Sequence, residues 1–289
     1  HPDPEALGRE GKAVRYAAER ALTPEVNRRL WAYAKADRFA LKPDGAVTLE
    51  GTLLARLAPC ANPLDPKVAL VGAQVGDPRG QEALRKQIEG WLRQETLRHL
   101  QPLVRLRAAM DDPAASPALR GLAFRLWESA GALDRAGVAA EVEALSGADR
   151  AALATIGFRI GRFSIYAPAL TASRAARLWC ALRAAGRAPA FVPPHSGRTL
   201  PLREVQNAPW AAVAAGGYRP AGDCLMRFDR LERFVAALHH PTQEQNPTAL
   251  ARLAGVDEQA LPALLKALGF RLREGPGGAP ARWRPGRKA

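Results

Sequence analysis

The chain has 289 residues, 47% apolar and 24% charged, the balance of a globular protein with room for two or more domains. Its net charge of +14 points to a polyanionic partner. Three widely spaced cysteines (Cys60, Cys180, Cys224) exclude a disulfide scaffold and a Cys-rich zinc site, and the absence of a bilayer-length apolar run or a leader pattern predicts a cytoplasmic protein with no membrane partner.

The chain opens on His1 rather than Met, as a fragment would. Residues 4–38 read as helical: Ala13, Tyr16, Ala17 and Ala21 recur at helical spacing, and Pro24 behind the capping residue Thr23 opens a second helix. A small β module follows. Its apolar runs are Arg38–Leu41, Ala46–Leu49, Leu53–Leu57 and Val68–Val71, separated by Pro43-Asp44-Gly45, Glu50-Gly51 and Pro59–Pro66. Asp44-Gly45 between such runs is a hairpin signal. Residues 1–75 thus form a first region. Residues 76–155 read as an all-helical bundle. Leu84, Ile88, Trp91, Leu92, Leu100, Leu103 and Leu106 share one face of a long helix interrupted by Pro102, two helices follow at 122–130 and 138–145, and Ser146 caps another.

The third region, 156–240, is a basic α+β segment. It holds a strand or turn at Phe158–Tyr166, an Arg-rich helix at Ser173–Ala185, a Pro/Gly loop at 193–198 and a helix at Asp229–His239. Residues 241–247 read as a linker. In the last region, 241–289, Thr248 caps a helix at 249–254 ended by Gly255, and Asp257 caps a second at 258–268 ended by Gly269. Two β-like segments, Phe270–Arg273 and Arg282–Arg284, then flank Gly275-Pro276-Gly277-Gly278. Helix, turn, helix and basic hairpin is the order of a winged-helix domain. The expected fold is mainly α within the α+β class: a helical bundle with a small N-terminal β module and a C-terminal winged helix.

Charge is unevenly placed. Nine arginines and no acid lie between Arg150 and Arg203, and residues 270–289 carry a net +5, while 204–269 sum to −1 and 1–149 to +1. The chemistry of a self-contained catalyst is missing. The nearest P-loop match, Gly8-Arg9-Glu10-Gly11-Lys12-Ala13, has the wrong spacing and no hydroxyl for Mg²⁺, and neither GxGxxG nor GxSxG occurs. His239-His240 is a lone pair at a helix end, and His195 has no evident carboxylate partner, so no metal, cofactor or catalytic residue is assigned.

What remains is arginine interleaved with aromatics. An extended Phe158–Tyr166 would put Arg159 and Phe163 on one side and Arg162 and Tyr166 on the other, with guanidinium forks for phosphate and rings to stack on unpaired bases. Arg174 and Arg177 on the following helix, and Arg198 and Arg203 around the Pro/Gly loop, extend the set. A second patch is the hairpin: alternation puts Arg271 and Arg273 on one face of their strand, and Arg282 and Arg284 on one face of theirs, with Trp283 between.

The run Ile156-Gly157-Phe158-Arg159-Ile160-Gly161-Arg162-Phe163-Ser164-Ile165-Tyr166-Ala167-Pro168-Ala169-Leu170 and the Arg/Ala helix after it resemble a stretch of bacterial superfamily 2 helicases related to the mitochondrial degradosome RNA helicase, C-terminal to their motor. Gly217-Tyr218-Arg219 ahead of Asp229-Arg230-Leu231-Glu232-Arg233, the closing Leu264-x-x-x-Leu-Gly-Phe-Arg, and Arg56-Leu57 with Asn62-Pro63-Leu64 are similar too. Thr171-Ala172 replaces the usual Lys-Pro, and the ATP-binding motor is missing. The resemblance implies a non-motor accessory region that grips RNA or DNA, single strands favoured, with a helicase motor or a nuclease as further partner. The rival expectations are a protein-interaction scaffold and a winged-helix regulator; the latter is opposed by Lys266 as the sole basic residue of the second helix.

Overall fold

The computed structural model describes residues 24–36, 38–72, 77–205, 207–239, 246–273 and 281–286. The protein is mixed α+β, helix having the larger share. It divides into two compact units: residues 1–97 with 181–188, and residues 98–180 with 189–289.

In the first unit, helix α1 (24–33) is followed by β1 (Ala40–Leu41), β2 (Ala46–Leu49), β3 (Thr52–Ala58) and β4 (Lys67–Leu70), an antiparallel sheet in sequence order. Its corners follow from turn residues. Asp44 Oδ1 accepts from Ala46 N at 3.2 Å, closing the first hairpin. Glu50 and Gly51 both have positive φ, 48° and 84°, the two-residue loop whose twist matches the strands it joins. Val47, Leu54, Ala55 and Leu57 of the sheet and Leu84, Ile88 and Leu92 of α2 (Pro78–His99) are buried, as the spacing of both segments requires. The early part of the helix expected at 4–38 lies outside the described residues.

The long helix breaks at Leu100, whose φ of −115° and ψ of 24° are not helical, so that Pro102 sits in the first turn of α3 (Gln101–Asp111), where its missing N–H costs nothing. The second unit continues with α4 (Pro117–Glu128), β5 (Ala132–Asp134), α5 (Ala139–Ala144) and α6 (Gly147–Ile156). Strand β5 corrects the all-helical reading of 76–155. It is three residues long and exists through pairing with a strand some thirty positions on, which local periodicity does not register. One carboxylate joins two helix starts: Asp149 accepts from Ser146 N and Oγ in a capping box and from Ser116 Oγ at 2.7 Å, while Ser116 itself caps α4.

Next come β6 (Arg159–Ile160), β7 (Ser164–Tyr166), α7 (Ser173–Ala184), β8 (Leu200–Pro201), α8 (Trp210–Ala215), β9 (Tyr218–Ala221), β10 (Cys224–Arg227) and α9 (Phe228–His239). Two three-stranded antiparallel sheets result, ordered β5-β7-β6 and β8-β10-β9. The chain ends with α10 (Pro247–Ala254), α11 (Leu261–Ala267) and the hairpin β11 (Phe270–Arg273) and β12 (Arg282–Pro285). Asn246, not Thr248, caps α10: its Oδ1 accepts from the Thr248 and Ala249 amides, and Pro247 opens the helix. Helix α11 starts three residues late because 258–260 form a turn and Pro262 favours a first-turn place. The linker expected at 241–247 and the glycines of 275–278 fall largely outside the described residues.

The core of this unit forms around α9, where Leu231, Phe234, Val235 and Leu238 meet Leu250, Ala254, Leu261, Leu264, Leu265 and Phe270. Phe234→Ala is expected to cost about 3–5 kcal/mol in chemical denaturation. Ser116 and Ser146 hold the Asp149 carboxyl below its usual pKa. Its contribution is therefore complete above the unfolded value of about 3.9 and fades as pH falls through the depressed folded value. An acid titration of the unfolding midpoint should show this loss below about pH 4, and it should be reduced in Asp149→Asn.

Candidate nucleic-acid interface

Helix α9 organises the site. Phe228, Leu231, Phe234, Val235 and Leu238 form its buried stripe, so Asp229, Arg230, Glu232 and Arg233 are left on its other face, clustered in the first two turns.

Glu232 reaches the turn between β6 and β7. Its carboxylate accepts from three consecutive amides, Arg162 at 2.8 Å, Phe163 at 3.0 Å and Ser164 at 3.2 Å. A Cβ at position 161 would stand 2.5 Å from that carboxylate, so a side chain there would have to push Glu232 away from the amides it binds. From the other side Arg219 donates to the Phe163 carbonyl at 2.6 Å and to Ser164 Oγ at 3.0 Å, pairs with Asp134 at 3.3 Å and lies 5.6 Å from the Phe163 ring centre. Burial lowers the Arg219 pKa. Arg135 Nη1 adds a bond to the Gly161 carbonyl at 2.9 Å. The run Phe158–Tyr166 is therefore a clamped hairpin and not one extended strand. Arg159 and Arg162 stay exposed beside it, with no side-chain hydrogen bond or ion pair to a described residue.

Four further arginines surround the first turns of α9. Asp229 binds Arg227 through two bonds, 2.8 and 2.6 Å, and Arg233 at 3.2 Å. Arg230 donates to the Leu253 carbonyl at 3.3 Å, and Thr199 Oγ1 to the Ala254 carbonyl at 2.7 Å, which brings the Arg198 loop to the end of α10. Tyr218 donates to the Arg198 carbonyl at 3.0 Å; burial pushes its hydroxyl up to about 12, against the pull of Arg227, Arg230 and Arg198. Burial likewise raises Tyr166, with Glu232 and Asp229 adding to the rise and Arg159 and Arg233 opposing it. Arg159, Arg162 and Arg198 thus gather at one end of α9. Arg203 is exposed next to Glu204, which pairs with Arg198 at 3.6 Å. Arg174 is exposed on α7, and Arg177 binds the Pro193 carbonyl at 3.0 Å, five residues before Arg198.

The hairpin adds a second group. Its register pairs Arg271 with Arg284 and Arg273 with Arg282, and Leu272 with Trp283. Directly opposed residues share a face, so all four guanidiniums lie on one side of the hairpin and Leu272 and Trp283 on the other. Phe270 is buried 5.5 Å edge-on from the His239 ring, and Trp283 packs against the α9 core. The quartet is therefore attached at the C-terminal end of α9, a helix of 12 residues and about 18 Å.

The two aromatics expected to stack on bases are not free to do so. Tyr166 is 5% exposed and already stacked on Phe228, 5.4 Å between centres. Phe163 packs on the α9 core under Arg219. Sequence reasoning missed Arg219, Arg227, Arg230, Arg233 and Glu232 as site residues. The block sum of −1 for 204–269 averaged these arginines with the carboxylates that hold them, although Arg227, Arg230 and Arg233 recur at three-residue spacing.

Among the described residues no group of three or more His, Cys, Asp or Glu side chains is placed to hold a metal, and no helix is long and apolar enough to cross a membrane. Glu232→Ala removes the acceptor for three amides and should lower unfolding stability by about 2 kcal/mol. Glu232→Gln, which keeps one oxygen, should lose less, and Gly161→Ala should be destabilised through its contact with the carboxylate; chemical denaturation measures all three.

No protein-family model, curated protein or solved structure matches the chain; what bears on its function is this arrangement of charge.

Proposed function

We propose that the chain is a nucleic-acid-binding accessory region, without a motor, of a helicase-like protein, and that it holds single-stranded or unwinding RNA or DNA mainly through phosphate. The observation that carries this reading is the hairpin register. Like charges directly opposite each other destabilise a two-stranded ribbon, and Arg271 and Arg284 are so placed. A phosphate between the strands turns that repulsion into paired charge-assisted hydrogen bonds. Arg159, Arg162 and Arg198 at the other end of α9 supply the second grip, with Arg203, Arg174 and Arg177 on adjoining elements. The order α10, α11, β11, β12 supports a winged-helix reading of the last segment, with the hairpin as its wing, and helices α3 to α6 support the helical-bundle reading of 76–155. The resemblance of Ile156–Leu170 to superfamily 2 helicases is the basis for naming a motor or nuclease as further partner.

Fluorescence anisotropy with matched single-stranded and duplex RNA and DNA tests the reading. With about 4–6 phosphates held, log K should fall against log salt with a slope of about −3 to −4 on single strands. Arg271→Ala with Arg284→Ala should flatten the slope by about 1.4, and Arg159→Ala with Arg162→Ala should do the same. The competing reading, a scaffold that docks a motor or a nuclease, requires no strand binding and a flat salt response.

A further inference from the structure

With Tyr166 and Phe163 covered, a ring for unpaired bases has to come from elsewhere, and one stands against Phe228, the residue between Arg227 and Asp229. Trp210 opens α8 behind Pro209 and is 38% exposed. Its indole meets Phe228 edge-on, 6.3 Å between centres at 88°, and Phe228 stacks on Tyr166. Trp210 is thus the outer member of an aromatic column whose inner members are buried. Its inner rings adjoin the basic cluster along the chain and across the strands: Phe228 lies in the chain between Arg227 and Asp229, joined by a 2.6 Å ion pair, and Tyr166 is the cross-strand partner of Arg159.

Resting on the nucleic-acid reading above, we propose that Trp210 is a base-stacking platform, and that it gives the chain its preference for unpaired strands. Single exposed aromatics are ordinary on protein surfaces. This one differs in its support and in its neighbours. Phe228 backs the indole and the start of α8 positions its backbone, so a base that lands on it orders little that is not already ordered. The indole N–H has no partner among the described residues and is available to a base edge or a phosphate. A duplex presents its bases edge-on and stacked on one another, so it offers the indole no face.

The test uses the full chain, a dye-labelled single strand of mixed sequence, an abasic strand of the same length and a duplex. The two single strands carry the same phosphates, so their affinity ratio isolates the contribution of the bases. Wild type should bind the base-bearing strand roughly tenfold more tightly than the abasic one. Trp210→Leu, which keeps apolar cover over Phe228 without a π-face, should bring that ratio close to one while the abasic affinity and its salt slope stay unchanged. Trp210→Phe keeps a ring and the fold; it should retain most of the ratio but lose the quenching of tryptophan fluorescence that the base-bearing strand produces in wild type. An unchanged ratio in Trp210→Leu, or unchanged quenching in Trp210→Phe, overturns the assignment while leaving phosphate binding intact. Wild-type binding that does not distinguish abasic from base-bearing strands overturns it as well. Failure to bind any strand overturns the nucleic-acid reading itself.

Discussion

The carboxylate of Glu232 is the constraint on which the basic surface at the head of α9 depends. Three successive backbone amides converging on one anion form the concavity by which proteins hold phosphate, and here the anion is the protein's own. The clamp joins the β6–β7 turn to α9 through backbone amides, without using the side chain of Arg159 or Arg162. Arg219, largely buried, binds the opposite side of the same turn through backbone and hydroxyl oxygens, and its charge is balanced by Asp134. Cations thus fall into two sets. Arg219 and Arg227 hold the frame against carboxylates, while Arg159 and Arg162 are held in place by their backbone with the side chains left over.

The hairpin solves a different problem. Four like charges on one face would splay a free ribbon, yet Phe270 is buried against His239 and Trp283 packs on the α9 core. Burial of a large aromatic side chain contributes about 2–3 kcal/mol, more than the few tenths to 1 kcal/mol that an opposed like-charge pair costs. The apolar face thereby anchors the ribbon against the repulsion between Arg271 and Arg284. Leu272, 56% exposed, is the part of that apolar face the core does not reach. Because both basic groups are anchored to one amphipathic helix, their separation is set by the rigid body of α9.

Much of the local structure was legible. The four strands of the first unit and the hairpin strands at 270–273 and 282–285 lie within a residue or two of their apolar runs, because Gly, Pro, Asp and Asn bound them by conformational preference alone. Two differences come from long-range contacts and one from a local choice. β5 exists through a partner far along the chain, the run 158–166, read as a strand or turn, becomes a hairpin because a carboxylate about 70 residues away captures its amides, and the cap of α10 is Asn246 and not Thr248 because both residue types can serve. The site was half legible. Arg159, Arg162 and the hairpin arginines stand out by composition, whereas Arg227, Arg230 and Arg233 were concealed by neighbouring acids, and the aromatics chosen were those whose alternation suited a buried position equally well.

The sequence by itself determined how much positive charge the protein carries, that it is concentrated in two stretches, and where glycine and proline interrupt regular structure, since these depend on composition and on torsional preferences within a few residues. Only the tertiary structure decided which of those charges share a face and which aromatic rings reach solvent. Alternation orders side chains within a strand but not between strands. Whether Tyr166 or Trp210 is covered turns on which rings pack together across long separations in the chain.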